Sequence, residues 1–118
     1  MQKYFYPLSF EQERFWFLNQ LNPGNPAYHE RGALRITGLL NVATLSQSIN
    51  EIIRRHEILR TRFVLVDGQP SQKLAPSFRF ELPVIDLLSY PVSEREKEAQ
   101  RVATQVVQEP FDLSQLPL

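Results

Sequence analysis

Arg55-His56-Glu57-Ile58-Leu59-Arg60-Thr61-Arg62-Phe63 is the stretch on which the fold turns, because a helical pattern stops inside it and a strand pattern starts. Upstream, Val42, Leu45, Ile49, Ile52 and Ile53 recur at helical spacing, behind an Asn41 whose side chain suits an N-cap. This periodicity predicts a helix from Val42 to about His56. Downstream, Leu59 to Val66 reads as a strand, Asp67-Gly68 as a two-residue hairpin turn and Pro70 to Leu74 as the returning strand. A helix that leads directly into an antiparallel hairpin points to a layered α/β sandwich rather than a bundle or barrel.

The flanks agree with that class. Ser9 and Gln12 form a capping-box pair, which predicts a first helix to about Leu21. The turn Asn22-Pro23-Gly24-Asn25-Pro26 ends it. Ala33 to Thr37 alternates like a strand, and Pro83 to Asp86 is expected to form another short one. Ser93 with Glu96 repeats the capping pattern and is expected to open a third helix that stops at Pro110.

Composition narrows the function classes. The 118 residues carry 13 Lys plus Arg against 13 Asp plus Glu, so no basic face announces nucleic acid or an anionic membrane. With no cysteine, disulfides, thiolate catalysis and Cys-ligated zinc are excluded. The two histidines, His29 and His56, lack ligand spacing, and the four glycines make no phosphate-cradling loop. No apolar run reaches the length of a signal peptide or a membrane span, so a cytoplasmic location is the expectation. A chain of this size folding alone could bury roughly two thirds of its unfolded surface.

Two polar residues interrupt apolar stripes. Arg14 lies among Phe10, Phe17, Leu18 and Leu21, and His56 lies among the stripe of the second helix. Stripes of this kind face a core. Both side chains are therefore expected to be buried and hydrogen-bonded, and Arg14→Ala is expected to cost on the order of 2–4 kcal/mol. Arg14 reads as a structural ion pair, as a side chain snorkelling past the helix edge or as part of an active-site channel wall, and His56 as a bonded core histidine. Phe15-Trp16-Phe17 makes the first helix apolar on nearly every side, which predicts an enclosed helix, with Trp16 packed or stacked on a ligand.

Ser9-Phe10-Glu11-Gln12-Glu13-Arg14-Phe15-Trp16-Phe17-Leu18 resembles the first motif of nonribosomal peptide synthetase condensation domains, S-x-A-Q-x-R-L/M-W-x-L. Glu11 replaces the alanine and Phe15 the aliphatic residue. Arg55 to Phe63 resembles the second motif, R-H-E-x-L-R-T-x-F, without departure. Asn22-Pro23-Gly24, Val66 to Pro70, Pro110 to Leu113 and Pro117-Leu118 extend the likeness over the whole chain.

The resemblance implies part of the N-terminal lobe of a chloramphenicol-acetyltransferase-like fold. Two such lobes face each other across a tunnel, where an acceptor amine attacks a donor thioester and an amide forms. Both substrates ride on phosphopantetheine arms of carrier proteins, so no cofactor is expected on the chain itself. The catalytic histidine belongs to a motif H-H-x-x-x-D-G, which is absent here. The resemblance assigns active-site support to Arg55, His56, Arg60, Arg14 and Trp16. It pairs either Arg55 or Arg60 with the aspartate of the histidine motif. Residues 1–118 are thus expected to be an incomplete condensation domain, inactive alone, that needs the rest of the domain and carrier proteins and associates with itself. The alternative is a non-catalytic docking module for a carrier protein or partner subunit.

Overall fold

The computed structural model describes residues 4–116, and the Pro117-Leu118 part of the motif likeness lies outside them. Strand β1 (Phe5–Pro7) leads into helix α1 (Phe10–Leu21), and α2 (Val42–Arg55) into β2 (Thr61–Val66) and β3 (Gln69–Leu74). Helix α3 (Val92–Gln108) completes the regular elements. The sheet is antiparallel in the order β1-β3-β2.

Local chemistry sets most boundaries. The Ser9 hydroxyl accepts from Gln12 N at 3.2 Å while Gln12 Oε1 accepts from Ser9 N at 2.8 Å, a closed capping box. Asn41 Oδ1 takes the Thr44 N–H at 3.0 Å and starts α2. Asp67 and Gly68, at φ 51° and 78°, make the left-handed two-residue turn that fits the twist of β2 and β3. Their register, Val66 to Gln69 through Thr61 to Leu74, follows from it.

Four expectations are corrected. The strand at Leu59 begins only at Thr61, because Glu57–Arg60 winds into a 3-10 turn first. Ala33 to Thr37 and Pro83 to Asp86 are not strands, since no neighbouring strand among the described residues offers them a ladder. Helix α3 starts at Val92 behind Pro91 with no side-chain cap. The Glu96 carboxylate of the anticipated box turns away to Arg35 instead.

The apolar residues of α1 are not enclosed. Phe10 is 91% exposed and Leu21 66%. Gln12, Trp16 and Asn19 are half-buried on the opposite side, where Gln12 Nε2 donates to Gln72 Oε1 of β3 at 3.1 Å. Arg14 therefore stands in solvent, with Glu11 3.6 Å away. The stripe is real, but it lies on the side of α1 away from the Gln12–Gln72 contact and is exposed in a chain that forms few contacts with α1.

The core is correspondingly thin: Ile53, Leu74 and Thr61 are the buried residues among those described. The chain exposes 9668 Å², against about 6,600 Å² for a compact monomer of this size. Its radius of gyration is 17.6 Å, against about 13.5 Å for a compact domain of equal length.

Candidate functional site

The junction between α2 and β2 concentrates the candidate residues. His56 ends the helix, its backbone N–H donating to Ile52 O at 3.0 Å. Its side chain is exposed and has no partner among the described residues, which corrects the core-facing reading. The wheel failed here because the helix stops one residue earlier than its period. Thr61 is 5% exposed and its hydroxyl donates to Glu57 O at 2.8 Å, which stitches the 3-10 turn to the strand.

Arg55 and Arg60 occupy different environments. Arg55 Nε donates to Glu51 Oε1 at 2.8 Å, and its side chain is 67% exposed. Arg54 grips the same carboxylate with two hydrogen bonds of 2.8 Å. Arg54 first and Arg55 second pull the Glu51 pKa down to about 2, and the carboxylate raises that of Arg54 in return.

Arg60 is withdrawn, with 12% of its side chain exposed. Its Nη1 donates to Ala75 O at 2.7 Å and to Pro76 O at 3.4 Å, while Ala75 N donates back to Arg60 O at 2.9 Å. The nearest carboxylate oxygen, on Glu57, is 3.9 Å away on a largely exposed side chain. A guanidinium withdrawn from water and held mainly by carbonyls favours an anionic partner.

The two sequence motifs meet at one groove, of about 400 Å³, lined by Trp16, Asn19, Phe63, Leu65, Leu113 and Ser114. Phe63 N donates to Leu113 O at 2.8 Å, and Arg62 Nη1 to Ser114 O at 3.2 Å. The Asp112 carboxyl accepts from the Ser114 hydroxyl and N–H, which hold it below the usual carboxylate range and shape this wall. Trp16 thus lies beside Phe63 of the second motif, whereas Arg14 stands on the other side of α1 next to Glu11.

Sequence reasoning missed two features. Asn50 Nδ2 donates to Phe80 O and Phe80 N donates to Asn50 Oδ1, both at 2.8 Å, so one side chain acts as a strand neighbour for an isolated segment. An asparagine at a half-buried helix position beside an apolar stripe was the available signal. His29 packs edge-on against Phe111 with ring centroids 4.6 Å apart, and its Nδ1 is buried without a partner among the described residues. It borders a cavity of about 110 Å³ with Phe15, Asn19, Asn22 and Tyr28. Nothing in the local sequence marks His29.

Among the described residues no group of His, Asp and Glu side chains is arranged to hold a metal ion. Among the described residues no helix is long and apolar enough to cross a membrane.

Residues 2–118 match the model of the condensation domain family. The chain is 44% identical over 112 residues to a linear gramicidin synthase protein of Brevibacillus parabrevis, covering 95% of this chain and 1% of that protein. It is 42% identical to phosphinothricin tripeptide synthetase PhsC of Streptomyces viridochromogenes over 112 residues, 95% of this chain and 10% of that protein. Its fold superposes with a TM-score of 0.78 on a starter condensation domain of rhizomide synthetase RzmA solved with C8-CoA, at 26% identity. That match covers 97% of this chain and 26% of the solved one. The chain thus spans about a quarter of the solved domain and a small share of the synthetases. On the match over nearly all of its length, the chain belongs to the condensation domain family.

Proposed function

We propose that these residues form part of the N-terminal lobe of a chloramphenicol-acetyltransferase-like, amide-forming condensation domain, and that Arg60 is its electrostatic anchor. The observation that carries this is the setting of Arg60, a withdrawn guanidinium whose close partners are carbonyls. It is suited to a carboxylate from a segment outside the chain, the role the resemblance gives to the aspartate of the histidine motif. Arg55, already neutralised by Glu51 and largely exposed, is less suited. His56 and Trp16 support the site from the junction and the groove, while Arg14 sits beside Glu11 on the exposed face of α1.

In this reading the donor and acceptor arrive as thioesters on the phosphopantetheine arms of carrier proteins. The amine attacks the thioester carbonyl, the amide C–N bond forms, and the C–S bond breaks to release the carrier thiol. The chain supplies the wall and the anchoring charge; the histidine that handles the proton lies outside its sequence. Alone it therefore forms no amide. The test exchanges residues 1–118 for the matching quarter of a related condensation domain and follows amide formation from carrier-bound substrates by mass spectrometry. Product from the chimera and none from the isolated chain is expected. Turnover by the isolated chain overturns the reading.

A further inference from the structure

The cavity of about 110 Å³ that His29 borders is built by α1, by the turn that follows it and by Leu113. On one wall Phe15 and Tyr28 meet edge to face, their ring centroids 5.6 Å apart. His29 Nδ1 is buried with no partner among the described residues. The half-buried Asn19 side chain makes no hydrogen bond to another described residue, whereas that of Asn25 is spent on the Ala27 N–H at 3.0 Å. Buried polar atoms are almost always paired in folded proteins, so the His29 nitrogen calls for a partner that the described chain does not supply. No carboxylate, lysine or arginine lines the cavity, so a neutral partner suits it. A volume of this order holds about three or four waters at roughly 30 Å³ each, or one six-membered ring, since an apolar cavity of about 150 Å³ takes benzene. The aromatic wall decides between them. Phe15 and Tyr28 are 44% and 55% exposed, and a ring set against them removes apolar surface that water would leave wet.

We propose that this cavity is a binding site for a small neutral phenol, its ring against Phe15 and Tyr28 and its hydroxyl paired with His29 Nδ1. A hydroxyl both donates and accepts, so it meets that nitrogen in either tautomer. Asn19 and Leu113 also line the groove where the two motifs meet. Leu113 O accepts from the Phe63 N–H at 2.8 Å, so an occupant pressing on Leu113 is felt at the second motif. The site uses neither Arg55 nor Arg60 and stands apart from the amide-forming reading.

The test titrates phenol and benzene separately into the chimera with a related condensation domain, in which the rest of a domain surrounds the chain. Binding is followed by NMR of isotope-labelled histidine and phenylalanine. Phenol is expected to give saturable shifts at the His29 ring and the Phe63 amide, with a dissociation constant about tenfold below that of benzene, the difference one satisfied hydrogen bond makes. His29→Phe keeps an aromatic ring against Phe111 and removes the nitrogen. It should bind benzene as before and lose the preference for phenol. Circular dichroism checks that the variant keeps its helices, and His29→Leu replaces it if it does not. Equal affinity for phenol and benzene, a preference that survives the loss of His29, or no saturable shift at His29 in the chimera overturns the proposal.

Discussion

Arg60 and Ala75 hold each other twice, the guanidinium Nη1 donating to Ala75 O at 2.7 Å and the Ala75 N–H donating to Arg60 O at 2.9 Å. The pair closes the end of the hairpin where β3 leaves the sheet, so Arg60 is part of the fold as well as a charge. Loss of a charged hydrogen bond at a withdrawn position costs about 2 kcal/mol. Arg60→Ala is expected to lower the unfolding free energy by about that amount in a urea titration. An unchanged midpoint would show that the clamp is idle.

Asn50 binds both backbone groups of Phe80. Asn50→Ala strands a donor and an acceptor on that segment and should cost about 1–3 kcal/mol. Amide hydrogen exchange at Phe80 should rise more than at Thr61, whose stitching is independent of Asn50. Equal exchange at both would assign the loss to general destabilisation.

Arg14→Ala should change monomer stability by less than about 0.5 kcal/mol, since exposed ion pairs contribute little. The measurement is chemical denaturation at concentrations low enough to keep the chain monomeric. A loss of several kcal/mol would restore the buried arginine that the helical wheel implies and the fold contradicts.

Glu51 ties its pH dependence to α2. Its pKa falls from 4.5 to about 2 in the folded chain, so the carboxylate contributes stability that is fully present above its unfolded pKa. That contribution fades as pH drops from about 4.5 towards 2 and the group protonates. Glu51→Gln should therefore melt below the parent chain at neutral pH, with the difference shrinking through that window. Because the site is exposed, added salt should shrink it as well. A difference that is constant with pH would deny the ion pair any part in it.

How much of this could be read beforehand follows from which interactions are local. The Ser9–Gln12 box, the Asn41 cap and the Asp67-Gly68 turn each operate within a few residues, and each stands as the sequence implied. Ala33 to Thr37 failed as a strand because a strand depends on a neighbour that its own sequence does not specify. Helix α1 carries aromatic residues on several faces, so its periodicity could not choose the inward side. The side that faces the sheet is the one carrying Gln12, which meets Gln72 sixty residues away. Of the candidate site, the motif residues could be named from the sequence, but the different settings of Arg55 and Arg60 could not. They depend on Glu51 capturing one arginine and the β3 exit capturing the other.

That Arg60 rather than Arg55 is the anchoring charge is the central proposal, and one comparison tests it most directly. In a chimera carrying residues 1–118 on the remaining three quarters of a related condensation domain, Arg60→Gln and Arg55→Gln are assayed side by side. Initial rates of amide formation from carrier-bound substrates are measured by mass spectrometry, alongside urea midpoints so that folded fractions can be normalised. Arg60→Gln is expected to cut the normalised rate by about a hundredfold, as loss of a withdrawn charge pair of about 2–3 kcal/mol implies. Arg55→Gln should stay within about twofold of the parent. Equal losses in both variants, or a loss confined to Arg55→Gln, would contradict the assignment of the anchoring charge to Arg60.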